Sequence, residues 1–86
     1  MTWTLEFSAK AEKEIKALDQ QIQRRIRDSI KEKLVSNPNH FLIPLVEKFS
    51  GLFKFRIGDY RLICEKYDHK FLVIVIKVKH RKEAYK

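Results

Sequence analysis

The sequence predicts an α+β domain with the element order β-α-α-β-β-β. Three observations support this prediction. The N-terminus holds a short segment in which apolar and polar residues alternate, residues 9–35 repeat with a helical period and contain neither glycine nor proline, and two tight-turn sequences separate three apolar segments near the C-terminus. Helices would then cover one face of a largely antiparallel sheet. At 86 residues, a single domain spanning residues 1–86 is expected.

The N-terminal half is predicted to form one strand and a helical hairpin. The alternating apolar residues of the strand are Trp3, Leu5 and Phe7. Ser8 is suited to cap the helix that follows. Residues 9–35 carry one apolar stripe at spacings of three and four residues, which is typical of an amphipathic helix. Asp19 is predicted to divide this run into two helices as a second N-cap.

The C-terminal half is predicted to form a loop and three strands. A loop over residues 37–50 begins at Asn37-Pro38-Asn39, the clearest helix-breaking sequence in the chain. The strands are expected at about Leu52–Ile57, Tyr60–Tyr67 and Phe71–Lys79, with Gly58-Asp59 and Asp68-His69 as the turns between them. Because the run from Phe71 to Ile76 is apolar without alternation, the third strand is predicted to be central and covered on both faces.

The positive charge lies almost wholly in the C-terminal half. The formal net charge is +8. Residues 1–47 hold 8 basic and 7 acidic residues, whereas residues 48–86 hold 11 and 4. This asymmetry favours a polyanion such as nucleic acid, or an acidic protein, as the partner.

Several classes of protein are excluded by composition. A single cysteine, Cys64, allows neither an intramolecular disulfide nor a cysteine-based zinc cluster. No cluster of carboxylates suited to Mg²⁺ is apparent, so no metal or other cofactor is expected. The longest apolar run is far shorter than the roughly 20 residues of a membrane span, and the N-terminus does not resemble a signal peptide. A cytoplasmic protein is therefore expected.

The predicted hairpin brings basic side chains together. A two-residue turn at Gly58-Asp59 places Arg56 opposite Arg61, and Lys54 opposite Ile63. Two arginines in direct cross-strand register repel each other, whereas an anion between them would be held by paired hydrogen bonds. The third strand and the tail add further basic residues: Lys77, Lys79, His80, Arg81 and Lys82. Of these, His80 and Arg81 are expected to converge on one patch with Lys54, Arg56 and Arg61.

Such a patch suits cleavage of RNA without a metal ion. RNA supplies its own nucleophile, the 2′-hydroxyl, and arginines stabilise the charge that develops on the phosphate oxygens. Proton transfer would fall to His80 or to Lys54. Tyr85 is suited to stack on a base or to donate a proton. The arginines of the helical region (Arg24, Arg25 and Arg27) are interpreted as a solvated face, with a secondary nucleic-acid or antitoxin contact as the alternative.

Two C-terminal motifs resemble those of RelE-type toxins in the RelE/ParE superfamily. The stretch Arg56-Ile57-Gly58-Asp59-Tyr60-Arg61 resembles that family's R-x-G-x-Y-R hairpin, and the stretch His80-Arg81-Lys82-Glu83-Ala84-Tyr85 resembles its basic tail ending in tyrosine. The preceding strand–helix–helix pattern is also similar, so the resemblance covers essentially the whole chain. It implies a RelE-like toxin domain.

The resemblance also implies an activity and a set of site residues. RelE-type toxins are enzymes of type II toxin–antitoxin systems that enter the ribosomal A site and cut mRNA without a metal. A cognate RelB-like antitoxin silences them, usually in a larger hetero-oligomer. By position, Lys54 corresponds to a catalytic lysine, Arg61 and Arg81 to the arginines that hold the scissile phosphate, and Tyr85 to the tail tyrosine. The residues expected to bind RNA around them are Arg56, Lys48, Lys77, Lys79 and Lys82.

The chain departs from this pattern at one position. Some RelE-type toxins carry a second lysine two residues before Lys54, where this sequence has Leu52. The general base is therefore left open between His80 and Lys54. Two other functions remain as alternatives: a ParE-like toxin that inhibits DNA gyrase, and a non-catalytic relative that only binds RNA or an antitoxin.

Overall fold

The computed structural model describes residues 3–45 and 51–80 and confirms the predicted α+β architecture. The elements are β1 (Thr4–Phe7), α1 (Ala9–Lys16), α2 (Gln20–Ser29), a π-helical turn (Ile30–Leu34), α3 (Pro38–Phe41), β2 (Ile43–Pro44), β3 (Leu52–Ile57), β4 (Tyr60–Tyr67), a 3-10 turn (Asp68–Lys70) and β5 (Leu72–His80). They form one five-stranded sheet of order β1-β5-β4-β3-β2. β1 runs parallel to β5, and the other neighbouring strands are antiparallel.

The helical hairpin forms as predicted, with Ser8 and Asp19 at its two N-cap positions. The Ser8 hydroxyl accepts a hydrogen bond from the backbone N–H of Ala11 at 3.1 Å. Asp19 makes no such side-chain bond. Instead the Gln23 side-chain amide donates to the carbonyl oxygen of Leu18 at 2.8 Å and braces the turn between α1 and α2. No helix in the described part of the chain is long and apolar enough to cross a membrane.

The core lies between the helices and one face of the sheet. The helical region contributes Ala11, Ile15, Ile26, Ile30 and Leu34. The sheet contributes Phe55, Ile57, Leu62, Cys64, Val73, Val75 and Val78. Because all the helices pack on this one side, the opposite face of the sheet remains uncovered by any described helix.

β5 is central, between β1 and β4, but the prediction that both of its faces are covered was wrong. Val73 and Val75 are buried against the helices, whereas Leu72 and Ile74, on the other face, are only half-buried. The apolar run therefore reflects a central position rather than two covered faces. The strand also begins one residue later than predicted, because Phe71 adopts a left-handed conformation (φ 49°) at the end of the 3-10 turn.

The segment predicted as a loop over residues 37–50 contains two short elements. α3 starts at Pro38, whose missing N–H is harmless in the first turn of a helix. β2 then pairs Ile43 with Lys54 and Pro44 with Phe53 at the edge of the sheet. Proline is tolerated there, because an edge strand has a side on which no hydrogen-bond donor is needed.

Candidate nucleic-acid interface

The sheet register assembles two rows of cations across three strands. The predicted pairs Arg56–Arg61 and Lys54–Ile63 are confirmed. β5 extends both rows, because Lys79 pairs with Arg61 and Lys77 pairs with Ile63. Neighbouring strands lie about 4.8 Å apart, so Arg56, Arg61 and Lys79 are direct neighbours, whereas Ile63 separates Lys54 from Lys77 in the second row. We call this group of residues the basic face: Lys54, Arg56, Arg61, Lys77 and Lys79.

The basic face lies on the side of the sheet away from the helices. Its strand neighbours Phe55 and Leu62 point into the core and are 4% and 0% exposed, so the alternating residues must point the other way. Arg56 is exposed, and Lys54 and Arg61 are half-buried. In this arrangement like charges repel each other, and no acidic residue of the described chain pairs with either row in the sheet register.

A β-bulge directs the lysines of β5 onto this face. The register shifts between Ile63 and Cys64, so that Cys64 pairs with Val75 but Ile63 pairs with Lys77. Ile76 is the extra residue, and the bulge exchanges the two faces for the rest of the strand. Without it, Lys77 and Lys79 would point toward the helices. The burial pattern of β5 shows the same shift, because the buried valines change from odd to even positions between Val75 and Val78.

The same bulge places His80 on the helix side of the sheet, so the expected convergence of His80 with the arginines was wrong. His80 pairs with Tyr60, and their ring centroids lie 5.0 Å apart. The two rings line a cleft with Glu14 and Leu18 of the helical hairpin. The other site residues expected from the sequence lie outside the described residues: Lys48, Arg81, Lys82 and Tyr85.

The uncovered face is electrically asymmetric along the strands. Beyond the two cationic rows it carries Glu65, opposite Leu52 and Ile74. The Tyr67 hydroxyl donates a hydrogen bond to Glu65 Oε1 at 3.3 Å. The carboxylate raises the pKa of Tyr67, because negative charge nearby disfavours the phenolate. An anionic ligand on this face is therefore drawn toward the basic end and away from Glu65.

Leu52 lies on the uncovered face, two residues from Lys54, as the hairpin register predicted. The position at which some relatives carry a second lysine is thus occupied by a half-buried apolar side chain. Ile63, between Lys54 and Lys77, is another apolar residue on this face and is only 8% exposed. Apolar surroundings weaken dielectric screening, so the flanking charges act more strongly on an anion.

Two contacts that the sequence did not reveal hold the ends of these strands. Gly58 has a φ of +57°, and a Cβ atom placed there would lie 2.9 Å from Nη2 of Arg25. The Arg25 guanidinium therefore packs against the turn that joins Arg56 to Arg61. On the other side, Glu14 of α1 accepts a hydrogen bond from the backbone N–H of Val78. Nothing in the local sequence of α1 or α2 marks either residue.

The other candidate reactive groups are not arranged for catalysis or metal binding. Within residues 3–45 and 51–80, no three histidine, cysteine, aspartate or glutamate side chains are close enough to hold a metal ion. Cys64 is buried in the core, and burial raises the pKa of its thiol to about 12, so it remains protonated at neutral pH. The described site is therefore a cationic surface.

Comparison with known proteins places the chain in a family. Residues 5–85 match the profile described as the ParE toxin of the type II toxin–antitoxin system parDE. No curated protein matches the sequence at a significant level.

Solved structures show the same fold. A chain of the toxin–antitoxin complex RelBE2 from Mycobacterium tuberculosis is 26% identical with a TM-score of 0.88, and the match covers 94% of this chain and 100% of that one. A chain of the RelB–RelE antitoxin–toxin complex from Methanococcus jannaschii is 28% identical with a TM-score of 0.69, covering 93% and 94%. The isolated E. coli RelE toxin is 25% identical with a TM-score of 0.73, covering 96% and 90%.

The predicted resemblance to the RelE/ParE superfamily is thus confirmed by both comparisons. The family profile spans nearly the whole chain, and the structures named above come from RelBE or RelE systems and share the fold. The chain belongs to the ParE toxin family of type II toxin–antitoxin systems, within the RelE/ParE superfamily.

Proposed function

We propose that this toxin is a ribosome-dependent mRNA endonuclease that cuts the message in the ribosomal A site without a metal ion. The observation that carries the proposal is the row formed by Arg56, Arg61 and Lys79 on the uncovered face of the sheet. Three cations in direct cross-strand register weaken the sheet. Their presence is explained if a phosphate group lies among them.

The reaction needs three operations on the RNA. A base removes the proton from the 2′-hydroxyl, whose oxygen attacks the adjacent phosphorus. The bond from phosphorus to the 5′-oxygen breaks, and an acid protonates that leaving oxygen, giving a 2′,3′-cyclic phosphate and a 5′-hydroxyl. In the proposal, Arg61 and Arg56 bind the phosphate oxygens and stabilise the added negative charge, because the sheet holds their backbones in direct register and directs both side chains to the same face.

Lys54 is the better placed of the two candidates for proton transfer. It lies on the basic face, two residues along the strand from Arg56, whereas His80 points to the helix side. The proposal also keeps Arg81 as a second phosphate ligand and Tyr85 as a stacking or proton-donating residue. These two roles rest on the family resemblance, since both residues lie outside the described part of the chain.

We also propose a RelB-like antitoxin as the cognate partner. Two of the similar toxin structures are complexes with RelB antitoxins. An acidic segment laid over the basic face would neutralise it and block access of RNA. Binding would also stabilise the toxin against unfolding by mass action.

The proposed activity is tested by primer extension on a defined mRNA in a purified translation system, with and without ribosomes. Cuts within A-site codons that require ribosomes are expected. Arg61→Ala and Lys54→Ala should each reduce cleavage by roughly 10²-fold or more. Lys10→Ala, which removes an exposed lysine of α1, is the control and should cut normally. Absence of cuts with the unmodified protein would overturn the proposal.

A second candidate function is inhibition of DNA gyrase, in the manner of ParE toxins. The observation that favours it is the family profile, which is named for ParE. A gyrase supercoiling assay separates the two functions. Inhibition of supercoiling without ribosome-dependent cleavage would replace the endonuclease proposal, and it should survive Lys54→Ala, because a protein inhibitor needs no proton transfer.

A further inference from the structure

The outer face of α2 and of the π-helical turn that follows it carries a row of cations on the side away from the basic face. Arg24, Arg27 and Lys31 are all exposed. At 3.6 residues per turn Arg24 and Arg27 lie about 60° apart around the axis of α2, and Lys31 follows four residues later in the π-helical turn. Ile22 and Ile26, which pack toward the core, lie on the opposite side of α2. We call these three residues the α2 row.

Among the described residues, no close ion pair involves the cations of the α2 row. Asp28 lies four residues after Arg24 and three before Lys31, spacings at which ion pairs often form on a helix. Within the described residues, however, neither cation comes within 4.0 Å of the Asp28 carboxylate. The three positive charges therefore remain available to an external anion.

From these observations we infer that the α2 row is a second phosphate-binding surface that docks the backbone of double-helical RNA. The row is about 10 Å long at 1.5 Å per residue. The phosphates of one strand follow one another along the surface of an RNA duplex, so cations spread over this length can contact more than one phosphate of the same strand.

The chemistry of the surrounding groove favours a duplex over other occupants. The groove is lined by Gln20, Gln23, Arg24, Arg27, Asp28 and Lys31. It contains no aromatic ring, and stacking on aromatic rings is how single-stranded nucleic acid is usually held. It also lacks an apolar anchor of the kind that dominates protein–protein interfaces. Amides and guanidinium groups suit phosphate and ribose oxygens.

The position of the α2 row separates its role from that of the basic face. The helices lie between the two surfaces, and the smallest extent of the molecule is 22 Å. One strand of RNA in the basic face cannot also run along the α2 row without passing around the domain. The protein would thus hold a cleavable single strand on one side and a structured RNA on the other. The identification of that RNA as ribosomal rests on the proposed function, but the duplex surface itself does not.

The test measures binding of a 16-base-pair RNA duplex of defined sequence at several salt concentrations. The variant is R24Q/R27Q/K31Q, in which glutamine preserves helix propensity. Its matched control is K10Q/K13Q/K16Q, which removes three exposed cations from α1 and gives the same net charge. Circular dichroism and thermal melting establish that both proteins fold.

The α2 variant is expected to bind the duplex roughly tenfold more weakly at 0.1 M salt, and the slope of log K against log[salt] should fall by about 2 to 3. The α1 control should change both quantities much less. Equal losses in the two variants would overturn the inference, because they would reflect net charge alone. Normal duplex binding by the α2 variant with loss of antitoxin binding would overturn it too and identify a protein interface.

The outcome is independent of the cleavage assay. If the protein cuts no RNA on ribosomes but the α2 variant selectively loses duplex binding, the inference stands and the proposed endonuclease function fails. If cleavage occurs and the α2 variant cuts and binds duplex RNA normally, the proposed function stands and the inference fails.

Discussion

Oε1 of Glu14 accepts a hydrogen bond from the backbone N–H of Val78 at 2.9 Å. β1 pairs with β5 only from Leu72 to Val75, so within the described residues no strand neighbours the last residues of β5 on that side. The Ser8 hydroxyl donates to the carbonyl oxygen of Ile76 at 3.2 Å, and Glu14 completes the edge two residues later. The side chain of Glu14 thus takes the place of a neighbouring strand at the end of β5, next to Lys79 of the basic face.

We expect Glu14→Ala to lower the free energy of unfolding by about 1.5–3 kcal/mol, because a half-buried N–H loses a charged acceptor. Glu14→Gln keeps a carbonyl oxygen at the same position, so its loss in the free energy of unfolding should be less than half of the loss for Glu14→Ala. Urea unfolding of the two variants measures the difference. Glu12→Ala, at an exposed position of α1, is the control. Equal losses for Glu14→Ala and Glu12→Ala would contradict the role of this hydrogen bond.

The repulsion between Arg56 and Arg61 leads to opposite effects on stability and activity. Arg61→Gln removes one of two like charges in direct register, so the free energy of unfolding should rise by about 0.2–1 kcal/mol. Cleavage in the ribosome assay should fall by roughly 10²-fold or more, because the glutamine amide cannot stabilise the charge that develops on the phosphate. A variant that is both less stable and fully active would show that the arginines have a structural role instead.

The strands of the meander and the register between β3 and β4 could be predicted, because a two-residue turn leaves little freedom. Once Gly58 and Asp59 form the turn, the pairs Arg56–Arg61 and Lys54–Ile63 follow from strand geometry. The helical hairpin was equally accessible, since its apolar spacing and the N-cap at Asp19 are local properties. Local rules therefore gave most of the elements and three of the five residues of the basic face, Lys54, Arg56 and Arg61.

The placement of the other two residues, Lys77 and Lys79, depended on a feature that the hydrophobic periodicity did not reveal. The bulge at Ile63/Cys64 decides that Lys77 and Lys79 join the arginines and that His80 does not. The apolar run before it conceals the change of phase, because every residue from Phe71 to Ile76 is apolar whichever face it occupies. β2 could not be predicted for a different reason. A strand of two residues is too short to show an alternation of apolar and polar residues.

The turn at Gly58 should be sensitive to side-chain size. Gly58→Ala places a Cβ atom on a residue with φ +57° and 2.9 Å from Arg25 Nη2, so we expect a loss of about 1–2 kcal/mol in the free energy of unfolding. Gly58→Asn should lose less, because asparagine tolerates the left-handed conformation better. Chemical unfolding of both variants measures the losses.

A double-mutant cycle with Arg25→Ala separates backbone strain from the contact with the guanidinium. If the contact contributes, Gly58→Ala should cost less in the Arg25→Ala background than in the unmodified protein. Strict additivity would show that Arg25 simply swings away and that only the positive φ matters.

Because Cys64 is buried, the free energy of unfolding should depend on pH in the alkaline range. Burial raises the pKa of its thiol from 9.0 to about 12. Between these values the unfolded chain releases the proton and the folded chain keeps it, so the folded state binds more protons and stability must fall as pH rises. The stabilisation that Cys64 provides relative to Cys64→Ala is therefore complete below pH 9.0 and declines toward pH 12, by up to about 1.4 kcal/mol per pH unit.

Urea unfolding of both proteins from pH 8 to about 10.5 measures this difference, and the common titration of lysines and tyrosines cancels between them. A difference that stays constant over that range would mean that the thiol titrates alike in the folded and unfolded chains, and that Cys64 is not sealed in the core.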